Sequence, residues 1–141
     1  MNILYLNLDQ EAILLSATGY VNVHAYESKA QIPLRDVAIA ITDEKGDAIA
    51  LRLTNRNGML DKSISIQVPD LKESQTPNSD QPPFAVVNIY ARKENFEQIE
   101  VQRVQVFANI TTDQELEMIP LPEYPENQSL LEIFTVTPQN L

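Results

Sequence analysis

Cysteine is absent from this chain of 141 residues, and only three glycines and one histidine are present. Without cysteine there are no disulfide bonds, no thiolate metal ligands and no cysteine nucleophile. Three glycines are too few for a glycine-rich phosphate-binding loop, and one histidine excludes any site that needs two imidazoles. These absences argue against a nucleotide-binding α/β fold and against a multi-histidine metal centre.

Basic side chains are also scarce, because 10 lysines and arginines stand against 20 aspartates and glutamates, for a formal charge of -10. Such an excess repels a phosphate backbone or an anionic bilayer, so no nucleic-acid partner is expected. No apolar run reaches the roughly 18 residues of a membrane-spanning helix, which predicts no membrane insertion. The first residues lack a basic region and contain Asn7, Asp9 and Glu11, which predicts no signal peptide. These features fit synthesis in the cytoplasm and deposition on a spore or cell surface, but they do not fix the compartment.

Apolar and polar residues alternate along most of the chain, which is typical of half-buried strands. Such stretches lie near residues 21–26, 37–41, 49–54, 63–68, 84–91, 96–101, 104–107 and 116–118. Residues 43–47 suit a hairpin turn, and Asn57-Gly58 suits a turn into the next strand, which together predict a meander of the strands between 37 and 68. Residues 69–83 contain four prolines and predict a long exposed loop.

Three short motifs stand out in the first half of the chain: Gly19-Tyr20-Val21-Asn22-Val23, Ile32-Pro33-Leu34-Arg35-Asp36-Val37-Ala38-Ile39 and Thr54-Asn55-Arg56-Asn57-Gly58. Together they resemble the carboxypeptidase regulatory-like family. The resemblance covers about residues 19–122 and implies an all-β, seven-stranded transthyretin-like or immunoglobulin-like sandwich. Transthyretin-like hydrolases of the urate pathway use several histidines and a terminal Tyr-Arg-Gly-Ser, which this sequence lacks, so their activity is not expected.

A second set of motifs comprises Val68-Pro69-Asp70-Leu71, Glu73-Ser74-Gln75, Pro83-Phe84-Ala85, the stretch 104–114, Ile119-Pro120-Leu121-Pro122-Glu123 and Thr137-Pro138-Gln139-Asn140-Leu141. These segments are similar to sandwich modules of clostridial spore cortex-lytic and peptidoglycan-binding proteins. This resemblance implies a spore or cell-envelope setting. Those modules stand beside lytic or peptidoglycan-binding domains, which are not seen here, so a lytic role does not transfer.

The two ends of the chain are more apolar than one sandwich requires. We expect an apolar N-terminal arm or extra strand at 1–17, the sandwich at 18–122, and a proline-containing linker with a docking segment at 123–141. The stretch 130–136 suits either another strand or a docking segment, and the arm either packs on its own domain or inserts into a neighbouring sheet edge. The candidate assembly residues are Ile3, Leu4, Tyr5, Leu6, Leu8, Ile13, Leu14, Leu15, Leu130, Leu131, Ile133 and Phe134.

No constellation of side chains predicts catalysis, a cofactor or a metal. His24 lies in an alternating strand and is interpreted as an ordinary side chain. The acidic residues of 43–47 suit a solvated turn better than a calcium loop, because their spacing is not that of an EF-hand. Glu115 and Glu117 share one strand face. On an acidic chain such a face is usually exposed to solvent, so this arrangement is not interpreted as a catalytic pair of carboxylates. A crosslink between Lys29 and Asn109 is disfavoured for lack of a distinctive motif.

The sequence therefore predicts a non-catalytic structural or interaction protein of a bacterial spore or cell envelope. Assembly would use sheet edges and terminal segments, with copies of the chain or other envelope or spore proteins as partners. The alternative is an accessory module that binds glycan or peptidoglycan through the long loop. The candidate ligand residues in that loop are Leu71, Glu73, Ser74 and Gln75.

Overall fold

The chain folds as an all-β sandwich, which confirms the predicted fold class. The computed structural model describes residues 16–69, 83–122 and 131–135. These residues form strands and the turns between them, without a helix in the described ranges. The strands are β1 (Ser16–Glu27), β2 (Ala38–Asp43), β3 (Ala48–Leu53), β4 (Ile64–Pro69), β5 (Phe84–Arg92), β6 (Gln98–Phe107), β7 (Thr111–Met118) and β8 (Leu131–Thr135).

The strands form two sheets. The small sheet has the order β4-β1-β7, and the large sheet has the order β3-β2-β5-β6-β8. Strand β7 is parallel to β1 and β8 is parallel to β6, whereas the other neighbours are antiparallel. Strand β4 packs over β5 and β6, and β7 lies against β6. The small sheet therefore covers the middle of the large one.

The core between the sheets is almost entirely aliphatic. In β1 and β4, one residue in two points inward, as the alternation predicted. The fully buried side chains include Val21, Val23, Val37, Ile39, Ile41, Val68, Val87, Ile89, Val104, Val106, Leu116 and Met118. With no disulfide available, burial of these side chains supplies the main stabilising free energy of the fold.

The predicted meander is wrong. Strands β2 and β3 form a hairpin, but β4 lies in the small sheet and pairs with β1. The reason lies in the turn after β3, where the Asn55 side-chain oxygen accepts the backbone N–H groups of Asn57 and Met59 at 2.8 and 3.2 Å. This turn and Leu60, which is buried, carry the chain across the core instead of back along β3.

The two strands expected at 96–101 and 104–107 form one strand, β6. Arg103 has a φ of 62°, and its N–H is bonded to the side-chain oxygen of Asn88 on β5 at 3.0 Å. The pairing between β5 and β6 shifts register at this place. A β-bulge therefore interrupts the alternation without ending the strand.

Several predictions at the chain ends fall outside the described residues. The arm at 1–17 lies outside except for its last two residues, which belong to β1, and residues 70–82 of the long loop and 123–130 of the linker also lie outside. The stretch 130–136 was expected to form either another strand or a docking segment. It contains β8, which extends the large sheet beside β6.

Candidate functional site

Strand β3 forms an exposed edge of the large sheet. It pairs with β2 on one side, and no strand of the described ranges lies on its other side. An edge of this kind presents unpaired backbone N–H and C=O groups, which are ready to pair with another strand. The strand has six residues and is therefore long enough to accept a partner.

Strand β3 turns its large apolar side chains towards solvent. Ile49, Leu51 and Leu53 are exposed to 41%, 69% and 61%. The pairing with β2 causes this arrangement, because Ile39 lies opposite Arg52 and Ile41 opposite Ala50, and Ile39 and Ile41 point into the core. The sequence pattern had placed Ile49, Leu51 and Leu53 on the buried face, and that prediction is wrong.

The exposed row continues across the outer face of the large sheet. Leu51 lies opposite Ala40, which in turn lies opposite Tyr90 on β5. Because the alanine side chains are short, a shallow depression of about 240 Å³ forms over Ala38 and Ala40, with Leu51 and Tyr90 at its sides. Arg92 also lines it, and none of its described lining residues is acidic. We call Ile49, Leu51, Leu53 and this depression the β3 strip.

At Leu51 and Leu53, the backbone N–H and C=O groups of β3 point away from β2, towards the free side of the strand. The Thr54 N–H is bonded to the Val37 carbonyl at 3.0 Å, so this pair is of the hydrogen-bonded kind. Pairs alternate along an antiparallel ladder, which directs the N–H and C=O groups of Leu51 and Leu53 away from β2. Consistent with this, the Arg52 guanidinium donates from Nη1 to the Leu51 carbonyl at 2.9 Å.

A second distinctive surface is the outer face of the small sheet. His24 and Tyr26 of β1 lie opposite Glu115 and Glu117 of β7. His24 Nδ1 is 3.1 Å from Glu115 Oε2, and the His24 and Tyr26 rings are 5.6 Å apart. Burial raises the pKa of the Tyr26 hydroxyl, and the carboxylates of Glu117 and Glu115 raise it further. The outer face of the small sheet thus combines aromatic rings with carboxylates.

Comparisons with known proteins find no matching family model and no matching curated protein. Solved structures do match. A proposed carbohydrate-binding protein from Bacteroides uniformis has 11% identity and a TM-score of 0.49 over 72% of this chain and 41% of its own. The 5-hydroxyisourate hydrolase from Klebsiella pneumoniae has 15% identity and a TM-score of 0.47 over 72% of this chain and 90% of its own. A catechol 1,2-dioxygenase from Acinetobacter has 12% identity and a TM-score of 0.50 over 83% of this chain and 58% of its own.

These similarities concern the fold alone. The chain spans 41% of the Bacteroides protein and 58% of the Acinetobacter enzyme, so each of those proteins contains much that has no counterpart here.

In the β2–β3 turn, the carboxylate of Asp43 stabilises the turn itself. The Asp43 side-chain oxygen Oδ1 accepts the backbone N–H groups of Lys45 and Asp47, both at 2.9 Å. In the described part of the chain, no three histidine, aspartate or glutamate side chains are grouped so as to hold a metal ion. Nor do the described residues include a helix of the length and apolarity needed to cross a membrane.

The structure describes few of the residues that the sequence singled out for assembly or ligand binding. The arm residues, Leu130 and the loop residues Leu71, Glu73, Ser74 and Gln75 lie outside it. Leu131, Ile133 and Phe134 belong to β8, where they pair with Gln98, Glu100 and Val101 of β6. Lys29 and Asn109 are both exposed. The sequence reasoning did not identify the β3 strip, although the apolar row that forms it is plain in the sequence.

Proposed function

We propose that this chain is a non-catalytic interaction domain of a bacterial spore or cell envelope, which assembles through its open sheet edge with copies of itself or with other envelope proteins. The observation that carries the proposal is the β3 strip: an unpaired strand edge whose three large side chains are exposed to 41–69%. The spore or envelope setting rests on the sequence resemblance.

Two physical effects favour association at the β3 strip. Complete burial of one leucine or isoleucine side chain contributes about 1.5–3 kcal/mol, so Ile49, Leu51 and Leu53 offer a substantial driving force. The added strand also satisfies the open backbone groups at Leu51 and Leu53, which gives the contact direction and register. Exposed edges with apolar side chains are otherwise uncommon, because they invite uncontrolled aggregation.

Charge is compatible with association at this place. The chain as a whole carries a formal charge of -10, which opposes contact between copies. Around the exposed leucines, however, Arg92 lines the depression at Leu51, and Arg52, Lys62 and Asp61 line the depression at Leu53, so the local formal charge is positive. A contact made here keeps the acidic outer face of the small sheet away from the interface.

The test is the solution mass of the chain with and without the exposed leucines. We expect Leu51→Lys combined with Leu53→Lys to abolish the assembled species, because two charges would be buried in the contact. The matched control is Ser65→Lys with Gln67→Lys, which adds the same charge at two exposed positions of β4 and should assemble like the unchanged chain. Assembly that survives the leucine substitutions would contradict the proposal.

A second candidate function is glycan or peptidoglycan binding, and the outer face of the small sheet favours it. Tyr20 is 36% exposed on the strand that also carries His24 and Tyr26, and Glu115 and Glu117 lie beside them. Exposed aromatic rings can stack on sugar rings, and carboxylates accept hydrogen bonds from sugar hydroxyls.

Calorimetric titration with soluble peptidoglycan fragments separates the two functions. If the face binds glycan, Tyr20→Ala should remove the heat of binding, whereas the Leu51→Lys, Leu53→Lys variant should retain it. An absence of binding heat with the unchanged chain would contradict this second function and leave the assembly proposal unaffected.

A further inference from the structure

The free side of β3 has room for one added strand of a particular kind. Such a strand should be about six residues long, to match Ala48–Leu53. It should place apolar side chains beside Ile49, Leu51 and Leu53, and it should carry little negative charge, since the chain already has a formal charge of -10.

The sequence of this chain contains a segment of that kind. Residues 3–8 read Ile-Leu-Tyr-Leu-Asn-Leu, with no charged side chain and with Leu4, Leu6 and Leu8 at alternate positions. In an extended conformation these three leucines share one face, at the spacing that Leu51 and Leu53 have on β3. The segment lies outside the described residues and precedes β1 by seven positions, 9–15.

We propose that the β3 edge binds residues 3–8 of a second copy of the chain as an added antiparallel strand, with Leu6 opposite Leu51. This inference rests on the proposed function and gives it a specific contact. In this register Leu4 lies opposite Leu53 and Leu8 opposite Ile49, so the leucine row of one copy continues the row of the other. The pair of Leu6 and Leu51 is then of the hydrogen-bonded kind, because the open groups of Leu51 face the added strand.

The position of β1 favours a second copy over the chain's own arm. Residue Ser16, where β1 begins, pairs with Pro69 in the small sheet, whereas β3 lies at the edge of the large sheet. Pro69 shares a surface depression with Asp43, Glu44 and Lys45 of the β2–β3 turn. Pairing of the arm with its own β3 would require a passage from the small sheet to the far edge of the large sheet within positions 9–15. Pairing with a neighbour avoids that path.

Arg52 is the group that the added strand must displace. Its guanidinium is bonded to the Leu51 carbonyl at 2.9 Å, and this carbonyl is the acceptor that the N–H of Leu6 would need. Charged side chains on an edge strand discourage pairing. Arg52 therefore hinders pairing with any strand that cannot replace its hydrogen bond to the Leu51 carbonyl, and this makes the edge selective.

The absence of cysteine allows a direct test in the full-length chain. One variant carries Leu6→Cys and another carries Leu51→Cys, and the two are mixed under mild oxidation. Opposed residues of a hydrogen-bonded pair have Cα atoms about 5.5 Å apart, which is within the range of a disulfide. Leu51 is 69% exposed, so its replacement leaves the core intact. A Leu6→Cys chain mixed with a Ser65→Cys chain is the control, since Ser65 is exposed on the other sheet.

The expected result is a disulfide between positions 6 and 51 in a product of twice the 15.9 kDa chain mass, with little product in the Ser65→Cys control. Three results would overturn the inference. They are a disulfide between two copies of Leu51→Cys, which would indicate pairing of β3 with β3; equal crosslinking in the control; and a Leu6→Cys, Leu51→Cys double variant that crosslinks within one chain. The mass of the unchanged chain is measured alongside. An oligomer without the 6–51 disulfide refutes only this inference, whereas a chain that stays monomeric also refutes self-assembly in the proposed function.

Discussion

Gly58 shows how one residue sets the path between the two sheets. Its φ is +75°, and a Cβ at this position would overlap the backbone carbonyl oxygen of Ala25. The contact cannot relax easily, because Ala25 donates its backbone N–H to the Gly58 carbonyl at 2.8 Å and is itself fully buried. Gly46 also has a positive φ, of +92°, but a Cβ there would meet no atom within 4 Å.

We therefore predict very different costs for the same substitution at the two glycines. Gly46→Ala should lower the free energy of unfolding by about 1–2 kcal/mol, the cost of a left-handed residue with a side chain. Gly58→Ala should lower it by about 3 kcal/mol or more, because overlap with the backbone adds to that cost. Urea denaturation of the two variants measures both values. Equal losses would show that the approach of Gly58 to β1 is not as close as described.

Tyr26 provides a residue-scale test on the outer face of the small sheet. Burial and the carboxylates of Glu117 and Glu115 raise the pKa of its hydroxyl above the ordinary value of about 10. The folded chain then holds this proton more tightly than the unfolded chain. The corresponding stability is fully present below pH of about 10 and is lost as the pH rises through the folded pKa.

Ultraviolet titration checks this prediction, with Tyr26→Phe identifying the contribution of Tyr26 among the five tyrosines. We expect Tyr26 to ionise above the ordinary value, and we expect Glu117→Gln to lower its pKa towards that value. A Tyr26 hydroxyl that ionises at or below the ordinary pKa would contradict the placement of β1 beside β7.

At the scale of the strands, period-two alternation was sufficient to predict where β1 and β4 lie and which of their residues are buried. The same alternation gave the wrong face for β3. The face of β3 depends on its register with β2, which shifts between Ile41 and Thr42. A shift of one residue exchanges the two faces of a strand, and the sequence carries no signal for the bulge that causes it.

The missed interaction surface has the same origin. An apolar row such as Ile49, Leu51 and Leu53 looks alike whether it points into the core or out of it. One available signal was the pair of alanines in β2, Ala38 and Ala40, which are too small to fill a face opposite three large side chains. The meander was predicted from two turn-forming segments, 43–47 and Asn57-Gly58, but turn residues do not show whether the chain returns along the same sheet or crosses to the other one.

Arg52 allows a prediction about the β3 edge. Arg52→Ala frees the Leu51 carbonyl and removes a charge from the edge, so it should strengthen association about five-fold or more, equivalent to about 1 kcal/mol for one hydrogen bond. Arg56→Ala makes the same change of charge at an exposed position in the turn after β3 and is the control. Sedimentation equilibrium gives both association constants. If the association constant of Arg52→Ala is no larger than that of Arg56→Ala, Arg52 does not hinder pairing at the β3 edge.

At the scale of the whole molecule, the sandwich has a buried core between two sheets whose edge strands differ from one another. The small sheet ends in β4 and β7, and the large sheet ends in β3 and β8, in the part of the chain that the structure describes. Of the residues described in these border strands, β7 carries Asp113, Glu115 and Glu117, whereas β3 carries exposed leucines and a single charged residue, Arg52. The borders β7 and β3 therefore differ in chemistry, and the exposed apolar side chains of β3 are the reason why we propose it as the site of association.

Light scattering of the unchanged chain over a wide range of concentration tests the assembly proposal most directly. The account predicts a mass above 15.9 kDa that increases with concentration and falls to that of one chain in the Leu51→Lys, Leu53→Lys variant. A mass of 15.9 kDa at every concentration would contradict self-assembly through β3.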